Sequence, residues 1–189
     1  RGSAPLLTAI IGTFWLGEHL GALGWAGIGV VVAGVLLLSL KGGRAGAVFD
    51  RRAVRFALLT AVMITAYSLA DGLGARHAGS PHAYTALLFV LDGIGMILYA
   101  ALAGSLPQRA TLEGNTLTLA AGGALSLISY WIAIYAMTVA PIALVAALRE
   151  TSVLFGAVFA VVLLGEPLLP VRVAAGCLIV VGAALIRLH

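Results

Sequence analysis

From Gly114 to Leu148 the chain carries no Asp, Glu, Lys or Arg. A helix that crosses about 30 Å of hydrocarbon at about 1.5 Å per residue needs about 20 apolar residues, so this stretch is too long for one crossing. Pro141 divides it. Its ring cannot sit inside a helix without breaking a hydrogen bond, which predicts one span over 117–137, a turn at 138–141 and a second span over 142–164. The same search gives charge-free runs at 23–40 and, shorter, at 4–17, and apolar runs with one or two charges at 53–74, 84–103 and 171–188. Seven spans result, joined by linkers at 18–22, 76–82, 106–115 and 166–170 that leave no room for a soluble domain. The expected fold class is all-α, a polytopic membrane protein.

Composition agrees. Hydrophobic residues make up 62% of the chain and charged residues 10%, against about 25% charged in an ordinary soluble domain. That excludes a cytosolic enzyme, a nucleic-acid-binding module and a disordered chain, and the lone Cys177 excludes an internal disulfide. The net charge of +4 is localised: Lys41, Arg44, Arg51, Arg52 and Arg55 cluster between two spans, as topology-setting charges do. A lipid-facing β-barrel would alternate polar and apolar positions, whereas Val30-Val31-Val32 and Leu36-Leu37-Leu38 are apolar throughout. Gly29 and Ala33 lie at the small-residue spacing that lets membrane helices approach closely.

The chain also repeats itself. Laying Leu164-Gly165-Glu166 on Leu16-Gly17-Glu18, an offset of 148, aligns Arg149 with Arg1, Leu154 with Leu6, Ala157 with Ala9 and Leu168 with Leu20. The same offset aligns Ala174 with Ala26, Val180 with Val32, Gly182 with Gly34, Leu185 with Leu37 and Leu188 with Leu40. Each copy is a helix, a Leu-Gly-Glu turn and a second helix, and three further spans separate the copies. The natural unit is therefore five helices, and an odd number inserts the second unit upside down, the architecture many secondary transporters use for alternating access. On this count the first unit lacks its opening three helices, so a fragment missing roughly 100 residues is expected.

These features resemble the EamA-type domains of the drug/metabolite transporter superfamily: the Leu-Gly-Glu turn, the apolar helix that follows with Ala33-Gly34-Val35 or Val181-Gly182-Ala183, and the five-helix repeat. On that resemblance, residues 1–41 are the last two helices of a first repeat, 42–52 a basic loop, and 53–189 a complete second repeat. It implies a ten-helix transporter of small metabolites or amino-acid-like solutes, often an exporter, with its cavity between the halves and its home in a bacterial plasma (inner) membrane. Seven of the ten helices are present. The expected partners are a small-molecule solute and the bilayer, with no nucleic acid and no cofactor. The positive-inside rule puts the Lys41 to Arg55 loop in the cytoplasm, whereas the resemblance puts the inter-repeat loop outside.

Ionisable residues within spans are costly and are the first candidates for function. Asp92 lies in the middle of 84–103, alone among apolar residues. It reads either as a cavity carboxylate for a cationic group or a proton, or as a structural carboxylate bonded to a neighbouring helix. Arg149 and Glu150 are adjacent, about 100° apart around their helix, so each must find a partner elsewhere or face a cavity. Arg149 could pair with Asp92 or Asp71, hold an anionic group of a solute, or snorkel. Proton coupling through Asp92 or Glu150 is a further option. Tyr67, Tyr130, Trp131 and Tyr135 form either an aromatic wall for an organic solute or an interfacial belt. Glu18 and Glu166 read as caps on the helix that follows each turn, and Asp71, trailed by Gly72 and Gly74, as an interfacial cap. The four histidines lack metal-ligand spacing.

Other functions are open to a chain of apolar helices. An intramembrane aspartyl protease would use Asp71 and Asp92, but Gly-x-Gly follows each of them where the protease pattern has it preceding one. A seven-helix receptor or retinal protein is suggested by the helix count alone, but the repeat predicts ten helices, and a retinal protein needs a lysine in its last helix where the only lysine is Lys41. A non-transporting membrane assembly protein is the remaining alternative.

Overall fold

The computed structural model describes residues 3–40, 51–105, 109–165 and 170–188. All regular structure among them is helical: α1 (Ala4–Trp15), α2 (Ala22–Leu40), α3 (Arg51–His77), α4 (Pro81–Leu102), α5 (Arg109–Val139), α6 (Ile142–Arg149), α7 (Ser152–Leu164) and α8 (Pro170–Arg187). Four stretches are long and apolar enough to cross a membrane: Arg55–His77, Pro81–Leu102, Asn115–Val139 and Ile142–Leu163. Ala4–Trp15, Ala22–Leu38 and Val173–Arg187 are shorter apolar helices.

The spans expected from sequence fall on these helices, with three differences. α3 starts at Arg51, so Arg51 and Arg52 belong to a helix rather than to the basic loop expected over 42–52. Arginine is a good helix former, and its long stem lets the guanidinium reach water from a helix end. α5 likewise starts at Arg109, inside the expected linker, because nothing between Arg109 and Asn115 except Gly114 opposes helix. The third difference is a break in the expected 142–164 span. There the backbone tightens to i→i+3 bonds: Glu150 N–H to Ala147 O at 3.1 Å, Thr151 N–H to Leu148 O at 3.1 Å, and Val153 N–H to Glu150 O at 3.1 Å. The Thr151 hydroxyl also donates to Leu148 O at 2.6 Å, so a side chain competes for the carbonyls that hold the turn.

The chain divides into two compact units, Arg1–Ala70 with Ala140–His189, and Asp71–Val139. In the first, α1 packs on α6 and α2 on α8 around Ala9, Ile28, Val31, Val32, Ala143, Ala147 and Ile179, all buried. Glycine sets the α2–α8 contact. A Cβ on Gly34 would lie 2.9 Å from Ala175 O, and one on Gly27 would lie 2.9 Å from Gly182 O. Lipid offers no hydrophobic drive for helix association, so such close backbone approach is what holds the pair.

Both Leu-Gly-Glu turns depend on a left-handed glycine. Gly17 has φ +67° and Gly165 φ +66°. After the first turn the Glu18 N–H returns to Gly12 O at 3.0 Å. The Glu18 carboxylate, 9% exposed, accepts the Ile142 N–H at 3.0 and 3.1 Å. Glu18 is therefore a cap, but of α6 and not of the following helix α2: Pro141 lacks an N–H, and Ile142 offers the first orphan donor of α6 to a carboxylate lying beside it. Glu166 lies outside the described residues.

Candidate functional site

The second unit holds a polar cluster built from α3, α4 and α5. Asp71 is 8% exposed, inside a helix that runs on to His77, and its two oxygens accept from the Tyr84 hydroxyl at 3.2 Å and from the Tyr130 hydroxyl in a short hydrogen bond. The expectation of an interfacial cap at Asp71 is corrected. Gly74 is the local cause: a Cβ there would meet the Tyr84 ring at 2.6 Å, so the missing side chain makes the slot through which Tyr84 reaches the carboxylate. Tyr84 sits near the start of α4, whose N-terminus is set by Ser80 accepting the Ala83 N–H and by Pro81 in the first turn.

α5 supplies the aromatic side. Trp131 and Tyr135, four residues apart and so on one helix face, both meet His82: the Trp131 indole N–H donates to His82 Nδ1 at 2.9 Å, and the Tyr135 ring stacks on the imidazole at 5.5 Å with 9° between planes. Tyr130 takes Phe89 edge-on at 6.0 Å. Arg76, in the last turn of α3, donates to Met137 O at 2.8 Å, placing a cation on a C-terminal carbonyl of α5. Among the described residues the partners of the Asp71 carboxylate are the two hydroxyls, with no cation bound to it.

Of the residues singled out from sequence, Tyr130, Trp131 and Tyr135 come together here. Tyr67 stands on the part of α3 that belongs to the first unit and is 38% exposed. Asp92 is exposed on α4 among exposed Leu91 and Ile94, with no hydrogen bond to it among the described residues. Arg149 and Glu150 lie in the first unit, half-buried at the α6–α7 break. Sequence reasoning missed Tyr84 and His82 and underrated Asp71. The available signal was Gly74 one turn after Asp71, a carboxylate followed by a gap on its own helix.

A chain with four apolar helices long enough to cross a bilayer is an integral membrane protein. Residues 51–188, well over half of the chain, match the EamA-like transporter family, and the chain belongs to that family. No curated protein and no solved structure matches it.

Proposed function

We propose that the chain is part of a secondary transporter that moves a small solute carrying a cationic amine, amino-acid-like solutes included, by alternating access. Asp71 is the carboxylate it works with. The observation that carries this is the Asp71 environment: a nearly fully buried carboxylate in a membrane-spanning helix, held by two phenolic hydroxyls and bound to no cation among the described residues. A buried carboxylate in a membrane-spanning helix is a place where a cationic group can bind, and an amine and a proton would compete for it. Tyr84 and Tyr130 hold the carboxylate in position, and the faces of Tyr130, Trp131 and Tyr135 suit an organic cation. Asp92 on α4 is a second carboxylate along the solute's route. Arg149 and Glu150, in the first unit, lie at a helix interruption, the kind of place where transporters form solute and ion sites, and stay candidates for an anionic group and for the coupling proton. Tyr67, also in the first unit, stays a separate candidate for contact with an organic solute. Export is the direction the family resemblance implies, and a bacterial inner membrane the setting. The sequence repeat at an offset of 148 supports an inverted pair of units, which alternating access needs.

The test is amine-driven proton movement. The full-length protein is reconstituted into liposomes containing a pH-sensitive dye, and tyramine or its anionic isostere 4-hydroxyphenylpropionate is added outside. Tyramine is expected to drive proton movement beyond that of empty liposomes, and the anion is not. Equal responses to both, or none to either, count against an amine transporter. A chain silent toward every solute tested would fit the assembly-protein alternative.

A further inference from the structure

We infer that His82 is a positioning residue for the Asp71 cluster, acting through Trp131, and that its protonation releases the cluster; this rests on Asp71 being the working carboxylate. An indole N–H can only donate, so the 2.9 Å contact from Trp131 requires a lone pair on His82 Nδ1. Nδ1 is then unprotonated and the imidazole neutral, with its hydrogen on Nε2. Taking up one proton puts a hydrogen on Nδ1, two N–H groups then face each other, and the bond is lost.

The consequence falls on Asp71 because of adjacency on two helices. Trp131 is the neighbour of Tyr130 on α5, and Tyr130 donates to Asp71. His82 stands two residues before Tyr84 on α4, and Tyr84 holds the other carboxylate oxygen. The His82–Trp131 bond thus ties together the two helices whose tyrosines clamp Asp71. Tyr135 keeps the ring in place in both states: stacked at 5.5 Å, it accepts a neutral imidazole and attracts an imidazolium more strongly. His82 is exposed, so protons reach it. From α5 it meets Trp131 and Tyr135, with Tyr130 beside them. The charged and titratable groups that α3 brings to the same unit are Asp71, Arg76 and His77, and α4 itself adds Tyr84 and Asp92. Asp71 is taken up by hydroxyls and Arg76 by Met137 O, which leaves His82 as the group whose charge change breaks the tie.

The experiment reads Trp131 directly. With Trp15→Phe and Trp25→Phe, Trp131 is the one tryptophan left in this chain, and its emission is followed in nanodiscs from pH 8 to pH 5. One sigmoidal quenching is expected as imidazolium forms beside the indole. His82→Gln, whose side-chain carbonyl can accept the indole N–H but does not titrate, is expected to give a flat trace at the high-pH level. Asp71→Asn is expected to keep the transition. A flat trace in the His82 protein overturns the inference, as does an unchanged transition in His82→Gln, or its loss in Asp71→Asn with retention in His82→Gln. No transport enters this readout, so a protein that shows the transition and moves no amine overturns the proposed function and leaves the His82–Trp131 tie standing. A transporting protein with a flat trace does the reverse.

Discussion

Gly27 and Gly182 meet backbone to backbone across α2 and α8: a Cβ on either would lie 2.9 Å from the other's carbonyl oxygen. The offset of 148 exchanges this contact with a second one. Gly27 goes to Ala175 and Gly182 to Gly34, and a Cβ on Gly34 would lie 2.9 Å from Ala175 O. Val31 and Ile179, which the same offset exchanges, each pack on the glycine of the other helix. The interface therefore has the self-complementary character of a two-fold contact within one chain.

Gly182→Ala should destabilise the protein by about 1–3 kcal/mol, because the added methyl meets the Val31 backbone nitrogen at 2.7 Å and the backbone cannot yield. Gly29→Ala on the same helix as Gly27 meets nothing within 4 Å and should be neutral or slightly stabilising. Thermal unfolding of both variants in detergent checks the pair; equal effects would show that the close approach is not what matters.

Glu18→Ala removes the cap of α6 and leaves the buried Ile142 N–H without its partner. A loss of about 1.5–3 kcal/mol is expected, as for a hydrogen bond to a charged group, and Glu18→Gln should restore part of it through its side-chain carbonyl. Chemical denaturation of the three proteins measures this, and a Glu18→Ala protein as stable as the parent would remove the cap from the account.

Gly74→Ala should push Tyr84 off Asp71, since the new methyl would lie 2.7 Å from the Tyr84 hydroxyl oxygen. Transport should fall at least as far as in Tyr84→Phe, which removes the same hydrogen bond without crowding. Tyr84→Phe combined with Gly74→Ala should be no worse than Gly74→Ala alone. Additive losses would show that Gly74 acts by another route.

Asp92→Leu should raise thermal stability, because an exposed carboxylate on an apolar face of a membrane-spanning helix has no hydrogen bond among the described residues. If Asp92 lies on the solute's route, transport falls in the same variant, a gain in stability at the cost of activity. A less stable Asp92→Leu protein would point to a structural bond instead.

The helices were legible because the cost of charge in lipid is written directly into the sequence as gaps between Asp, Glu, Lys and Arg. The turn glycines were legible too, since Gly17 and Gly165 mark the two helix ends by themselves. The break at Glu150 was not: Arg149, Glu150 and Thr151 are all tolerated in helices, and only the hydroxyl of Thr151 on Leu148 O and the 3₁₀ bonds around it reveal the change. Nor could the partner of Glu18 be read, because it lies 124 residues away. The aromatic residues of the site were recognisable in Tyr130, Trp131 and Tyr135. What Tyr130 bonds was not, because the Asp71 cluster forms only when α3, α4 and α5 come together and Gly74 leaves space for Tyr84.

Asp71 is the proposed carboxylate through which this EamA-family chain would exchange an amine for a proton. The most direct test is tyramine-driven proton movement in liposomes carrying Asp71→Asn, whose amide keeps the shape and can still accept from a tyrosine, beside Asp71→Glu and the parent. The account predicts at least a tenfold loss in Asp71→Asn, partial activity in Asp71→Glu, and unfolding temperatures close to the parent's. Parental proton movement in a well-folded Asp71→Asn protein would contradict it.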